Sequence, residues 1–470
     1  MRISPLARVL TVLAALLDVT AECAAATVTG EIVDASTGRA VAARLYIRDA
    51  AGEWFFGDSS SGQGAAIIYA KTNRVNPRSM EHHTTLSAHP FRTELPAGDY
   101  TFTVERGKEY FPVHKKVTVT AGPAAPVPLR FELTRWVDMA ERGWFSGDGH
   151  VHRSLAELPT LLLAEDLNVA LPQTYWAIEA FVAPTKSPKN AAQEIPARLI
   201  HADATHVIWP RNTEYEIYRF GAKTHNLGGV FILNHQEFFT PGAPPLRPIA
   251  DEAHRQGALL DMDKHDWTWS LMIVPVMKID LFELANNHIW RTDFGITDFH
   301  QPAPAYMQLP DGGHSGTERN WIHYGFESYY TFLNCGFRLR PTAGTASGVH
   351  PVPPGFGRVY VHCAEGFSYD AWMKGLDAGR SFVTTGPMLL AKLNRQRPGG
   401  NFPLKAGVTT PVEISGTVLS EQPVSAVEVL VNGEIAARLA VTSKPTRAGA
   451  WEAEFDGKVA VTGTSWVAVR

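Results

Sequence analysis

The sequence predicts a multidomain protein of mixed class, an α/β unit flanked by an N-terminal and a C-terminal β-sandwich, and three observations carry that prediction. Short alternating strands with turn punctuation fill positions 27–135, strands alternate with helical segments over 136–387, and β texture returns over 388–470. At 470 residues, with 45% hydrophobic and 19% charged residues, the chain is too long for one ordinary core and too apolar for disorder. Lys plus Arg number 43 and Asp plus Glu 47, for a formal charge of -4. No basic block interleaved with aromatics appears, so a nucleic-acid track is not expected and a small-molecule partner is. Oligomeric state is not legible.

Taken in order, positions 1–26 read as an export signal: Arg2 and Arg8 give a positive end, Val9 to Leu17 an apolar stretch, and Ala24-Ala25-Ala26 a small-residue cleavage site. That stretch is too short to span a bilayer, and no later segment approaches the ~20 apolar residues a span needs. Cys23 invites a lipoprotein reading, but Glu22 places a bulky acid where a small residue is required. The mature protein is expected to be exported, periplasmic or secreted. Cleavage leaves Cys335 and Cys363, which excludes a dense disulfide framework and permits one bridge. Both flank strand-like runs, beginning at Tyr330 and Gly357, where a buried thiol is equally expected.

In 27–135 the strand runs begin at Val28, Ala42, Gly98 and Lys116, with turns at Gly30, Gly38, Pro96 to Gly98 and Gly122-Pro123. A stretch from about Phe56 to Pro90 reads as a long irregular loop, surface-exposed by ordinary expectation and long enough to fold over a neighbouring site. In 136–387 strand candidates start at Asn168, Gly229, Ala258 and Ile279, with helix candidates Leu155 to Glu165, Ile249 to Gln256 and Tyr369 to Ala378. Such alternation argues for an α/β barrel or a related parallel sheet, with catalytic side chains at the carboxyl ends of strands. In 388–470, Asn432-Gly433 predicts a hairpin turn. The chain ends within a strand pattern, Trp466 to Arg470, so this last sandwich is read as open to being incomplete.

The most informative motif is Gly143-Trp-Phe-Ser-Gly-Asp148-Gly-His150-Val-His152-Arg. Histidines two apart on an extended strand share a side and can grip one ion, and Asp148 is expected on that side to orient an imidazole or accept a proton. Glu214, His225, His265 and Glu283 recur near expected strand ends, a donor set suited to Zn foremost, with Mn or Fe as alternatives. His288, Arg291 and Arg380 are candidates for oxyanion stabilisation or leaving-group protonation, and Trp267, Trp269 and Trp290 for an aromatic wall or core.

The block from Arg142 to Arg153 resembles the signature of the CehA/McbA-type, carbaryl-hydrolase-like metallohydrolases of the PHP (polymerase and histidinol phosphatase) superfamily. Blocks beginning at Thr84, Glu105, Asn334 and Gly379 agree with it. The resemblance implies a distorted (β/α)7 barrel that binds up to three divalent metals and hydrolyses esters, amides or phosphoesters. It implies His150 and His152 as the first metal pair, Glu157 as the acidic ligand that follows, Glu214 as a bridging carboxylate, and His225 as its companion, with His235 the runner-up. It implies His265 as a later histidine ligand. Two positions depart from the family. Leu171 to Trp176 lacks the family's Thr-Asp-His, and Ala346 stands where an aspartate is usual. One or two metals are therefore expected rather than three.

The function expected is an exported metal-dependent hydrolase acting on an ester, an amide or carbamate, or a phosphoester through metal-activated water. The alternative is a degenerate barrel that binds a glycan or peptide around a structural metal. An amidohydrolase-type barrel also begins with Asp-X-His-X-His, but the lead-in here is not an apolar strand ending in Pro-Gly.

Overall fold

The computed structural model describes residues 25–120, 126–295, 299–307, 309–312 and 316–470, without the side chains of Ile217, Tyr218, Phe220, His225 and Asn226. The expected export signal thus lies almost wholly outside the described residues.

Strands of the first segment make two sheets around one core. Val28, Phe91 and Phe131 from one sheet meet Leu45, Ile47 and Phe102 from the other. The stretch expected to be irregular holds two paired strands, Ala66–Thr72 and Met80–Leu86, in register from Ala66 against Leu86 to Thr72 against Met80. Their Ser, Asn and His content hides the pattern. The residues buried along Met80–Leu86 include Glu81, His83, Thr84 and Thr85, so alternation of apolar with polar residues gives no signal there.

In the middle segment a six-stranded and a seven-stranded sheet face each other. Phe145, Val169, Leu171, Val359 and Val361 of the first pack with Phe231, Leu233, Leu259 and Leu281 of the second. Period-two alternation sorts each strand. In Leu281–Ala285, Leu281 and Ala285 face that shared core, while Phe282 joins the outer core beneath helices. Each such fully buried side chain contributes about 1.5–3 kcal/mol by leaving water.

Regular alternation of strand and helix holds only locally. Thr213–Phe220, Lys223–Leu233 and Leu259–Asp263 run antiparallel in succession, while Leu259–Asp263, Leu281–Ala285 and Arg340–Ala343 run parallel. Among the described residues there are five α-helices and thirty strands, so the chain is mostly β and a regular (β/α)7 barrel is not what this topology shows. The longest helix, Glu318–Asn334, covers the Tyr330 run read as strand-like. Aromatic content there mimics strand propensity, but Thr317 caps the helix by accepting from Asn320 N, and Tyr329 and Phe332 face the core. Cys335 follows this helix exposed, Cys363 is buried, and both are free. No helix among the described residues is long and apolar enough to cross a membrane.

The last segment again forms two sheets over one core, with Val412, Ile414 and Phe455 against Val427 and Val429. Asn432 and Gly433 both take positive φ, 53° and 94°, in the hairpin joining Ala426–Val431 to Glu434–Ala440.

Buried ion pairs fix the first segment to the second. Arg44 donates through Nη1 to both oxygens of Glu165 at 2.8 Å and through Nη2 to Glu105 at 2.7 Å, and Arg106 and Arg135 each meet Asp166 at 2.8 Å. Arg44→Met leaves the Glu165 carboxylate buried and uncompensated, so urea unfolding is expected to show a loss of about 3–5 kcal/mol. Arg44→Met/Glu165→Leu is expected to recover most of it. A single-variant loss below about 1 kcal/mol would show that this pair does not hold the junction.

Candidate metal centre

The site lies where the strand Trp144–Val151 runs out beside the seven-stranded sheet. Pairing registers place Glu214, Phe231 and Asp261 in one row across three strands, and Glu216, Gly229 and Asp263 in the next. Residues directly opposite share a face, so four carboxylates point to the same interior side as Phe231. The ring of His150 packs on Phe231, with centroids 4.2 Å apart.

His150 and His152 bring their Nε2 atoms to 3.0 Å from each other, and Glu214 Oε2 lies 3.3 Å from His152 Nε2. These three ligand atoms can hold one ion. The opposite nitrogen of His150, Nδ1, lies 3.0 Å from Glu283 Oε2 and 3.9 Å from Asp263 Oδ2. A second three-residue grouping, His150 with Asp263 and Glu283, uses that nitrogen. A metal-bound imidazole commonly gives its other N–H to a carboxylate. By that rule Glu283 holds Nδ1–H and leaves the Nε2 lone pair facing His152 and Glu214. Gly344 is required alongside, because a Cβ there would stand 2.4 Å from His150 Cβ and 2.3 Å from Glu283 Oε2.

The electrostatics call for a cation. Burial pushes Glu214 up to about 8 and Asp261 up to about 8, and it raises Glu283 well above the carboxylate range, with Asp263 and Asp261 adding to it. Burial also drives His152 down to about 3 and His150 well below its ordinary value. The imidazoles are neutral ligands with free lone pairs, while the carboxyls of Asp263, Glu214 and Glu216 share the ammonium of Lys264. Glu214 Oε2 is buried and makes no hydrogen bond. Imidazole and carboxylate donors in this state fit a divalent ion.

Other residues singled out in the sequence are placed differently. The pairing of Trp144–Val151 with Val169–Pro172 shifts register between Asp148 and Val151, and this irregularity separates Asp148 from its expected partners. Asp148 accepts from His150 N, Thr345 N, Thr345 Oγ1 and Gly355 N at 2.6–3.2 Å, and none of these bonds is to an imidazole. Glu157 pairs with Arg153 at 3.1 Å and enters neither ligand grouping. His265 is buried against Phe282, ring centroids 4.2 Å apart, and its Nε2 has no hydrogen-bond partner. The side chain of His225 lies outside the described residues, and His235 bonds Thr213 Oγ1 through Nε2 at 2.9 Å.

His288 bonds Asn286 Oδ1 at 3.0 Å and packs on His350, with centroids 4.9 Å apart. Arg291 turns to the first segment, reaching Glu81 at 3.3 Å and Glu105 at 3.0 Å, and Arg380 is exposed. Trp267 and Trp290 are buried and Trp269 is exposed. Where the resemblance implies a histidine ligand, Trp176 packs on His152 at 5.1 Å between centroids. Ala346 offers only its backbone, donating to His150 O at 2.7 Å.

Comparison with protein-family models finds no match, and comparison with curated proteins finds none that is significant. Among solved structures, the chain is similar to a crystal structure of a two-domain protein containing a predicted PHP-like metal-dependent phosphoesterase from Bacteroides vulgatus ATCC 8482. The two are 11% identical, the match covers 69% of this chain and 85% of that one, and the TM-score is 0.31. A likeness of that size assigns neither family nor activity. The residues of the site itself carry the chemistry: His150 and His152 were legible from spacing and Glu214 as a carboxylate in the expected donor set, whereas Asp263 and Lys264 sit in an apolar run's tail that pointed to His265 instead.

Proposed function

We propose that the chain is an exported metal-dependent hydrolase of the PHP type, with three domains at 27–135, 136–387 and 388–470 and a distorted β/α barrel in the middle. The observation that carries the hydrolase reading is the convergence of His150 Nε2, His152 Nε2 and Glu214 Oε2 with His150 Nδ1 anchored on Glu283. Three protein ligands leave a coordination position for water or substrate, as catalytic sites do and closed structural sites do not. A divalent ion bound there lowers the pKa of its water toward neutrality and polarises a carbonyl or phosphoryl oxygen.

The protein's own groups do the rest. Glu283 fixes the tautomer and direction of His150, and Phe231 and Trp176 wall the two imidazoles against solvent. His288, lowered to about 4 by burial with Lys264 next, is a neutral imidazole beside His350; it gives its Nδ1–H to Asn286 Oδ1, so Nε2 is left as an acceptor, suited to hold a water O–H or substrate N–H and not to donate to an oxyanion. The substrate class is an ester, an amide or carbamate, or a phosphoester. The glycan- or peptide-binding alternative draws on the ligands missing at 171–176 and at Ala346, and the open-sided set of His150, His152 and Glu214 weighs against it.

Metal analysis of purified protein, with a screen of aryl esters, carbamates and phosphoesters, tests the reading. Turnover is expected to vanish on chelation and to return when Zn, Mn or Fe is added back. Bound metal with no turnover of any of these substrates would select the binding-protein reading, and protein that takes up no metal would overturn both. Amino-terminal sequencing of the chain recovered from an outer-compartment fraction checks export, with a start near Thr27 expected.

A further inference from the structure

Lys264 is buried in the site and its ammonium is not the usual solvated surface charge. Its backbone takes positive φ, 58°, directly after Asp263. The stem then crosses the row formed by Glu216, Gly229 and Asp263, where the central residue has no side chain. A Cβ on Gly229 would stand 2.9 Å from Lys264 Cγ, so the glycine is the trough in which the lysine lies. At the far end the ammonium hydrogen-bonds Asp263 Oδ2 and reaches Glu216 Oε1 at 3.5 Å and Glu214 Oε1 at 4.0 Å. Three carboxylates thus gather round one nitrogen. Glu214 divides its oxygens, Oε1 toward this ammonium and Oε2 toward His152.

We propose that Lys264 is the resident cation of the second half of this centre: its ammonium occupies the position among Asp263, Glu214 and Glu216 where a second divalent ion would otherwise bind. The inference rests on the metal-centre reading above and makes it more specific. A carboxylate facing imidazoles on one side and a second carboxylate group on the other is a natural bridge between two ions. Here the far side is closed by a covalently tethered monovalent charge, which supplies three N–H donors and no exchangeable coordination position. The chain therefore takes one ion, through His150, His152 and Glu214.

The test is stoichiometry with Mn(II) alone as probe. Wild type is expected to bind one ion per chain with the six-line spectrum of an isolated Mn(II), and Lys264→Ala to bind two with an exchange-coupled spectrum. Two ions or a coupled spectrum in wild type overturns the inference, as does a folded Lys264→Ala protein that still binds one. If Lys264→Ala does not fold, the wild-type count and spectrum decide alone. Turnover is read separately. Two ions in an active wild type removes this inference and keeps the hydrolase, whereas one ion in an inactive wild type with two in Lys264→Ala does the reverse.

Discussion

A His150→Ala/His152→Ala variant is expected to retain less than about a tenth of the wild-type metal and to lose about a thousandfold in hydrolysis. The figure follows from several kcal/mol of charge stabilisation supplied by a bound ion, at 1.36 kcal/mol per tenfold. Both imidazoles are buried and uncharged in the fold, so their removal takes away ligands without stripping an ion pair. Folding should survive, though truncating His150 against Phe231 opens a small void. Glu283→Gln gives the graded counterpart. Its amide still reaches His150 Nδ1 but no longer favours one tautomer, and an outer partner of this kind is typically worth about 10–100-fold in metal affinity. Metal titration and kcat/KM on the same preparations check both. If Glu283→Gln loses as much metal as the double variant, Glu283 is itself a ligand and the His150–Asp263–Glu283 grouping is the true centre. If the double variant keeps its metal and its activity, the hydrolase reading fails.

What the sequence revealed of this centre depended on how local the signal was. His150 and His152 are two residues apart, and strand periodicity alone brings them together. Glu214 was legible as a candidate carboxylate, but it opens the strand Thr213–Phe220 and does not close one. Glu283 reads from the sequence as one more candidate metal donor, and its place against His150 Nδ1 is not legible because that imidazole lies 133 positions away. Asp148 was assigned to the imidazoles by the same period-two rule, and the register shift after it is invisible in the residues themselves. Lys264 could not be read at all: its place depends on Gly229, which meets Asp263 through an antiparallel register, and no short motif encodes that pairing. At the level of fold, the two flanking β regions followed from alternation and turn residues, and the helices at Arg247–Arg255 and Tyr369–Asp377 from their Gly stops. The antiparallel run from Thr213 to Asp263 was missed, since apolar strands look alike whichever way their neighbours run.

Metal affinity is expected to rise about tenfold per pH unit between about 6 and 8 and to level off above that, a pattern unlike that of an ordinary histidine site. Burial holds the metal-free Glu214 carboxyl up at about 8, with Lys264 pulling it down and Asp263 pushing it up. Below that value the carboxyl carries a proton, which an incoming ion must displace, and one proton released per ion gives a slope of one in log affinity. The histidines add nothing to this slope because burial already keeps them neutral, His152 down to about 3. The same shift has a consequence for folding. Between the ordinary carboxylate value of 4.5 and about 8, the unfolded chain has released this proton and the folded metal-free chain has not. Metal-free stability therefore falls as pH rises through that window, by at most about 1.36 kcal/mol per unit from this group. Metal-loaded protein is spared, since the ion keeps the carboxylate ionised on both sides of it. Isothermal titration in buffers of different ionisation heat counts the protons, and Tm against pH with and without chelator reads the folding arm. Affinity that instead collapses only below about 6 would place the displaced proton on a histidine and show that the carboxyls of this pocket are already ionised before the metal arrives.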